Sequence, residues 1–257
     1  MVTRDDIAKG LQGLGLESGD MVFVHSSLKS FGRVDGGADA VIDALMGTVG
    51  QGGGLMMPSF PKFVDGEFGL VADNGIVFDL RVSPSCMGVI TDTFWRRPKV
   101  TRSLHPTHSV AAWGARAQEA IEGHELCLCS CGEGSPFHKN CLLGGKILLI
   151  GVTHNSNTTL HTIEDTNCAP TRSAIIYYPR VIDMDGRVIT VPTRPHLHAM
   201  PRRYLIMDEI CRREGIQKDA TIGSAHIRLI DARRLYQTGS SLIKNNPLFL
   251  LNMDELA

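Results

Sequence analysis

The chain has little excess charge and no long apolar segment. Its 26 Lys and Arg residues almost balance 27 Asp and Glu residues, so the composition does not favour binding to nucleic acid or to an anionic membrane surface. No apolar run approaches the roughly 18 residues that indicate a transmembrane helix. Residues 1–10 are charged and lack the apolar core of a signal peptide. We therefore predict a cytoplasmic protein without nucleic-acid or membrane partners.

Cysteine and histidine do not follow a pattern that would cross-link the chain or bind a metal. The seven cysteines are an odd number scattered through 257 residues, and a chain of this size buries enough apolar surface to fold without disulfides. Cys127, Cys129 and Cys131 alternate, whereas a zinc knuckle has Cys-x-x-Cys spacing. His105 and His108 lie in a proline-containing loop with no carboxylate at metal-ligand spacing. We predict a reducing compartment and no metal site.

The apolar pattern predicts a mixed α/β fold. Residues 21–25 form a predicted buried strand, an amphipathic helix covers residues 40–49, and a second strand follows at 55–57. The preceding pair Gly36-Gly37 would let backbone amides approach a pyrophosphate, but the Rossmann and P-loop fingerprints are absent. These residues therefore form a β-loop-α-β unit without a recognisable nucleotide motif.

The later part of the chain changes character. Residues 175–184 and 187–191 flank Asp185-Gly186, a strong hairpin signal. A further predicted helix begins at Pro84, other helices cover residues 115–122, 201–214 and 232–236, and further strands cover residues 109–113 and 222–229. Residues 58–81 form a predicted loop that could cover a cleft and that carries Asp65, Glu67, Asp73 and Asp79. We predict one domain over residues 1–257, with a three-layer α/β/α core and an antiparallel β-rich addition in the C-terminal half, where residues 171–203 form a hairpin and loop insertion.

A histidine and two carboxylates follow the buried strand at residues 146–151. A polar stretch leads into a helical pattern that Asn157 or Thr158 is suited to cap. His161 precedes Glu164 and Asp165 by three and four residues, a spacing that puts an imidazole and a carboxylate on one helix face. This arrangement suits a general base with an orienting acid, although such a pair is also common as a solvated or core-satisfied contact.

The end of the first strand carries His25, Ser26, Ser27 and Leu28. Two hydroxyl groups and their backbone amides at a strand end can hold a phosphate or an acyl-carrier arm. The same Ser-Ser pair is also typical of an ordinary turn. The residues alone leave both interpretations open.

Several short motifs in a fixed order resemble one family. The motifs are Val24-His-Ser-Ser-Leu28, Gly36-Gly37, Pro84-x-x-Met-Gly88, Arg102-Ser-x-His-Pro-x-x-Ser-Val-Ala-Ala-x-Gly114, Gly132-x-Gly-Ser-Pro136 and Asn157-Thr-Thr-Leu-His161-x-x-Glu164. Over about residues 5–235, this set resembles the aminoglycoside 3-N-acetyltransferase family. The resemblance implies acetyl transfer from acetyl-coenzyme A to a primary amine, in a fold unlike that of the GNAT acetyltransferases.

The resemblance also implies roles for individual residues. His161 matches the catalytic histidine of the family and Glu164 the acid of the same motif, while Thr158 or Thr159 would lie near the thioester. The residues that would contact the coenzyme are His25, Ser26, Ser27, Leu28, Ser109 and Val110, with Arg33 or Arg102 as a phosphate partner. The implied partners are acetyl-coenzyme A and a small amine, and no metal is expected. Direct transfer through a ternary complex fits a histidine base, although Cys129, Cys131 or Cys168 leaves an acyl-enzyme open. The oligomeric state stays open, and a homo-oligomer is possible.

Alternative functions remain at this point. One is a metal-dependent hydrolase that uses His105, His108 and His161, and another is a non-catalytic coenzyme-binding module. Residues 171–203 contain Arg172, Arg180, Arg187, Arg194, His196, His198, Arg202 and Arg203 against only Asp183 and Asp185. Because a polycationic drug would need carboxylates instead, this excess also suggests a neutral or anionic acceptor, such as a nucleotide-linked amino sugar.

Overall fold

The computed structural model describes residues 1–61, 76–197 and 200–255. The strands in these residues are β1 (Met21–Ser26), β2 (Gly54–Pro58), β3 (Ile76–Asp79), β4 (Thr101–Arg102), β5 (Val110–Trp113), β6 (Lys146–Ile150), β7 (Arg180–Ile182), β8 (Val188–Thr190), β9 (Gln217–Ile222) and β10 (Ala225–Asp231). The α-helices are α1 (Arg4–Leu14), α2 (Gly37–Val49), α3 (Val89–Trp95), α4 (Ala115–Ile121), α5 (Pro136–Leu142), α6 (Thr159–Thr166), α7 (Ile206–Arg213) and α8 (Ala232–Asn245).

The main sheet has seven strands in the order β4-β5-β2-β1-β6-β10-β9. Strands β2, β1 and β6 are parallel and end together at Pro58, Ser26 and Ile150, which define the carboxyl edge of the sheet. Strands β5 and β10 run in the opposite direction, so Val110 and Ala225 begin at this same edge. Loops that follow β1 and β6 therefore meet the loop that precedes β5.

Helices cover both faces of this sheet. Val22 and Val24 of β1 pack with α1, α2 and α3, whereas Phe23 packs with α4 and α5. In β6, Leu148 belongs to the first of these cores, and Leu149 packs with α6, α7 and α8. The alternation follows from the two-residue period of a strand, and it confirms the predicted three-layer α/β/α core.

A glycine allows α8 to pack closely against α6. A β-carbon added at Gly239 would lie 2.6 Å from Cδ1 of Ile163, well inside normal carbon–carbon contact.

Helix α8 continues to Asn245, much further than the predicted end at residue 236. Oδ1 of Asp231 caps this helix by accepting a hydrogen bond from the Arg234 amide at 2.9 Å. The sequence prediction missed most of this helix, which packs beside α6.

A second, three-stranded sheet has the order β3-β7-β8. The predicted Asp185-Gly186 turn is confirmed: β7 and β8 are antiparallel, and Gly186 has φ 82°. Strand β3 pairs in parallel with β7, so this sheet also takes a strand from the N-terminal half. The predicted loop over residues 58–81 is therefore wrong at residues 76–79, and residues 62–75, with Asp65, Glu67 and Asp73, lie outside the described part.

Three other predicted bounds need correction. Helix α3 begins at Val89 rather than at Pro84, and α7 begins at Ile206 rather than at residue 201. The predicted strand over residues 222–229 is confirmed as β10 from Ala225 onwards, but Gly223 and Ser224 form the turn that joins it to β9. None of the helices in the three described ranges combines the length and apolar character that a bilayer crossing requires.

Candidate active site

Helix α6 begins at the carboxyl edge of the main sheet. After β6, a short 3-10 turn at His154–Ser156 leads to the helix, and the Asn157 side-chain oxygen accepts a hydrogen bond from the Thr159 amide at 3.2 Å. Thr158 occupies the N-cap position without a side-chain capping bond. Of the two predicted capping residues, Asn157 therefore supplies the bond, and the helix presents His161 about one turn later and Glu164 about two turns later.

His161 and Glu164 form a hydrogen-bonded pair. The two are joined by a 2.9 Å contact between Nδ1 of His161 and Oε2 of Glu164, and the Tyr204 hydroxyl lies 2.9 Å from the same nitrogen. Glu164 is fully buried, and its other oxygen lies 3.5 Å from Nε of Arg202. Burial alone would raise the pKa of Glu164, but the His161 hydrogen bond and Arg202 hold it at about 2. The acid is therefore a carboxylate at neutral pH.

The His161 ring is held in a defined tautomer. A carboxylate accepts, so Nδ1 carries the proton and Nε2 has the lone pair. Burial, together with the neighbouring His196, lowers the pKa of His161, and about one fifth of the side chain remains exposed. Among the described residues only Nδ1 of this ring takes part in a hydrogen bond. Nε2 is thus a neutral acceptor that solvent or a substrate can reach.

Asp165 does not share the role of Glu164. Its Oδ1 lies 3.1 Å from Nε2 of His196, and Arg172 binds the Asp165 backbone oxygen at 2.7 Å. The His196 ring lies with its centroid 4.2 Å from that of His161. In the sequence His196 stands out only as part of a basic segment, because no local spacing connects residues 165 and 196. The site therefore contains two neighbouring carboxylate–histidine pairs.

The predicted coenzyme residues of β1 lie at the carboxyl edge. The His25 ring is buried against Phe23, and burial lowers its pKa to about 3. The Ser26 hydroxyl is buried without a hydrogen-bond partner in the described part of the chain. The Ser27 amide donates to the Ile150 oxygen at 2.9 Å, and Leu28 opens a 3-10 turn. This loop therefore lies beside the residues that follow β6.

The residues near β5 have mainly structural contacts. The Ser109 hydroxyl donates to the Ser103 oxygen at 2.7 Å, and the Val110 amide donates to the Ser103 hydroxyl at 2.8 Å. Arg102 is buried and donates to the backbone oxygens of Ser83 and Ser59, and burial lowers its pKa to about 10. Its guanidinium is therefore used inside the fold, which argues against the predicted phosphate contact of Arg102.

The remaining predicted residues are divided between surface and interior. Arg33 is exposed, and its backbone oxygen accepts from the Val2 amide at 2.9 Å. Thr158 and Thr159 are buried beside His161 along α6, and the Thr159 hydroxyl has no partner among the described residues. A buried hydroxyl group without a partner is unusual, and Thr159 lies two residues before His161 in α6.

The histidines of the hydrolase alternative do not meet. His105 contacts the Cys127 oxygen at 3.3 Å and stacks on His124 at a ring distance of 4.6 Å. His108 instead approaches His196, with ring centroids 5.8 Å apart. Neither of the two groups of metal-ligand side chains in the described residues includes His105. The trio of His105, His108 and His161 is therefore not formed.

Comparisons with known proteins agree with this architecture. Residues 23–244 match the family model described as aminoglycoside 3-N-acetyltransferase. Aminoglycoside N(3)-acetyltransferase IV from Salmonella sp. is 34% identical over 249 residues, which cover 95% of this chain and 88% of that protein. The structure of a mutant of aminoglycoside acetyltransferase AAC(3)-IVa in complex with a gentamicin has a TM-score of 0.83 and 31% identity, covering 99% and 93% of the two chains. That of AAC-IIIb with CoASH has a TM-score of 0.82 and 27% identity, covering 95% and 96%. The chain belongs to the aminoglycoside 3-N-acetyltransferase family of acyltransferases.

Proposed function

We propose that the protein transfers an acetyl group from acetyl-coenzyme A to a primary amine of an aminoglycoside or a related amino sugar. The observation that carries this proposal is the neutral Nε2 of His161, opposite an Nδ1 that lies 2.9 Å from the buried carboxylate of Glu164. An alkyl ammonium ion must lose a proton before its nitrogen can attack a thioester. His161 supplies a base that is unprotonated at neutral pH.

The reaction follows from these two side chains. The amine nitrogen attacks the thioester carbonyl carbon, and Nε2 of His161 takes the proton that the nitrogen releases. The carbon–sulfur bond then breaks, and the coenzyme leaves as a thiolate that takes this proton from His161, so the base is neutral again. The imidazolium formed during attack is stabilised by Glu164, which the Arg202 contact keeps ionised. No acyl-enzyme is needed, so transfer is direct within a ternary complex.

The N-terminal part of α6 is suited to the oxyanion. Thr158 occupies the N-cap position, and the Thr159 hydroxyl is buried and has no partner in the described residues. A hydroxyl or amide donor near a helix N-terminus stabilises negative charge that develops on a carbonyl oxygen. We assign the thioester carbonyl to this end of the helix, and the pantetheine arm to the adjacent loop of Ser26, Ser27 and Leu28.

The acceptor is best described as an amino sugar of the aminoglycoside type. AAC(3)-IVa, whose structure was solved with a gentamicin, is similar to the chain over nearly its whole length. The alternative of an anionic acceptor rested on the arginines of residues 171–203. Arg172, Arg202 and Arg203 donate to backbone oxygens of Asp165, Leu197 and Phe249, respectively. These guanidinium groups hold the fold together, which weakens the case for an anionic acceptor.

The test is acetyl-coenzyme A turnover, measured as thiol release, with separate panels of aminoglycosides, neutral amino sugars and nucleotide-linked amino sugars. We expect activity that requires the amine, with the highest kcat/KM for an aminoglycoside. Higher efficiency on the nucleotide-linked amines would favour the anionic acceptor instead. Coenzyme A binding without turnover on any amine would contradict the proposed activity and favour a non-catalytic coenzyme-binding module.

The cysteines support a proposal about the compartment. All seven have free thiols, and Cys127, Cys129 and Cys131 are close in sequence without being cross-linked. Free thiols in this number suit a reducing compartment, and we propose that the protein acts in the cytoplasm. Its oligomeric state does not enter the proposed reaction, because His161 and Glu164 come from one chain.

A further inference from the structure

A second group of ligand-type side chains lies next to the His161–Glu164 pair. His108, Cys131 and His196 each offer one nitrogen or sulfur atom, and these atoms lie within 4.8 Å of one another. All three residues are buried, with relative exposures of 5%, 0% and 1%. They come from three separated segments, so the tertiary fold alone assembles the group.

His196 has a buried nitrogen that lacks a partner. Its Nε2 lies 3.1 Å from Oδ1 of Asp165, whereas Nδ1 has no hydrogen-bond partner in the described part of the chain. Since the carboxylate accepts, Nε2 carries the proton and Nδ1 has a lone pair. Leaving such an acceptor buried and unpaired is unfavourable. A carboxylate on the far nitrogen is the usual support of a histidine that binds a metal.

The other two side chains are held by one serine. The Ser130 hydroxyl lies 2.8 Å from Nδ1 of His108 and 3.8 Å from Sγ of Cys131. The Thr107 hydroxyl lies 2.9 Å from the same His108 nitrogen. These contacts fix the direction of the imidazole ring and keep the thiol beside it. The group is therefore restrained before any ligand arrives.

The donor set identifies the class of ligand. We propose that His108, Cys131 and His196 bind a divalent transition-metal ion of the zinc type. Two imidazole nitrogens and one thiolate suit a borderline-soft cation rather than Mg²⁺ or Ca²⁺. Ligand atoms in a tetrahedral zinc site are roughly 3.3–3.6 Å apart, from bond lengths of about 2.0–2.3 Å. Since the present separations are at most 4.8 Å, the three groups would need to approach by no more than about 1.5 Å.

Binding changes the protonation of the site in a defined way. Burial raises the pKa of the Cys131 thiol well above its ordinary value, and burial lowers that of His108. The histidine is thus already in its neutral, metal-binding form, while the thiol keeps its proton until the ion arrives. The sulfur–metal bond forms as the sulfur–hydrogen bond breaks, and the proton passes to solvent. One proton is released for each ion bound.

The experiment is a titration of the tag-free, metal-free full chain with Co²⁺, followed by visible and near-ultraviolet absorption, with Zn²⁺ added afterwards. We expect one Co²⁺ per chain, absorption from cobalt–thiolate charge transfer, and loss of that absorption when Zn²⁺ displaces the cobalt. Cys131→Ser should remove the charge-transfer absorption. The matched control is Cys141→Ser, because Cys141 is equally buried but belongs to the core around Ile147 and Leu149, and it should bind as the unmodified chain does.

The unmodified chain alone can overturn the proposal. Absence of saturable Co²⁺ binding, or binding without thiolate absorption, would contradict it even if Cys131→Ser fails to fold. Thiolate absorption that persists in folded Cys131→Ser would also contradict it, because another cysteine would then be the ligand. A pH-stat measurement with Zn²⁺ gives an independent check, in which about one proton per ion is expected. None of these measurements involves acetyl transfer, so failure of the proposed enzymatic function would leave the result intact.

Discussion

The rings of His161 and His196 lie with their centroids 4.2 Å apart and are tilted by 33°. Each ring has its own buried carboxylate, Glu164 for His161 and Asp165 for His196. Since the two acids are consecutive on one helix, α6 orients both histidines at once. Burial, together with the neighbouring His196, lowers the pKa of His161, which helps to keep His161 available as a base.

Replacing the base should remove most of the catalysis. We expect His161→Ala to lower kcat at least about a hundredfold, the usual scale for losing a general base, while coenzyme A still binds. Steady-state thiol release gives kcat, and calorimetric titration gives the coenzyme affinity. His138→Ala is a suitable control, because His138 lies on α5, where its ring is tilted by 57° against that of Tyr236 and takes no part in the proposed reaction. A His161→Ala variant with near-normal kcat would refute the assignment of the base.

Replacing the acid should have a smaller effect. In Glu164→Gln the amide keeps a hydrogen-bond acceptor for Nδ1 of His161 but loses the charge that stabilises the imidazolium. We expect kcat to fall roughly tenfold to a hundredfold. Each pKa unit by which the His161 imidazolium loses stabilisation corresponds to about 1.4 kcal/mol, or a tenfold change in rate if the transition state feels it in full. The KM of the amine should change little. An effect confined to KM would instead indicate that Glu164 binds the substrate amine.

A bulky residue at Ser27 should affect only the coenzyme. Ser27 follows β1 at the carboxyl edge and is partly buried, so Ser27→Phe would narrow the space proposed for the pantetheine arm. The KM for acetyl-coenzyme A should rise, and that for the amine should stay constant. Ser18→Phe is the control, because Ser18 is exposed before the opposite end of β1. A change only in the amine KM would mean that the loop after β1 binds the amine and not the coenzyme.

Arg102 should contribute to stability and not to coenzyme binding. Its guanidinium binds the backbone oxygens of Ser83 and Ser59 and stacks on Phe78 and Trp95. Arg102→Met should lower the free energy of unfolding by about 3 kcal/mol, because buried carbonyl groups lose a charged donor. Urea unfolding measures this loss. If folded enzyme instead shows a raised KM for acetyl-coenzyme A at unchanged stability, Arg102 is a phosphate ligand after all.

Buried histidines should make the fold sensitive to mild acid. Burial lowers the pKa of His25 to about 3 and that of His124 to about 4, against 6.5 in the unfolded chain. Below pH 6.5 the unfolded state binds protons that the folded state excludes, so stability is complete above pH 6.5 and falls as the pH decreases. Each histidine should cost about 2 kcal/mol between pH 6.5 and 5.

Urea unfolding at pH 7, 6 and 5 tests this dependence in a range above most carboxylate titrations. In His124→Gln the free energy of unfolding should change less steeply with pH, because the contribution of one titrating histidine is gone. The loss of its contacts to Ser103 and Ser130 lowers stability at every pH and leaves the slope argument intact. Equal slopes in both proteins would contradict the role of His124.

The sequence by itself determined the parts of this protein that depend on neighbouring residues. The strands β1 and β6, the Asp185-Gly186 hairpin and the His161–Glu164 pair follow from two-residue alternation, turn chemistry and helical spacing. Motif order extended this to the family. The structural signals each lie within one short segment, and the motif order is read along the chain, so no knowledge of the packing was needed to detect them.

Only the tertiary structure decided which distant side chains meet. His196 reaches Asp165 across 31 residues of chain, β3 pairs with β7 across more than 100 residues, and Arg102 turns inward to carbonyl oxygens. Nothing in local spacing encodes such contacts, because they depend on how sheets and helices pack after they form. The same packing brings His108, Cys131 and His196 together, since buried polar groups are placed by the whole fold and not by the segment that carries them.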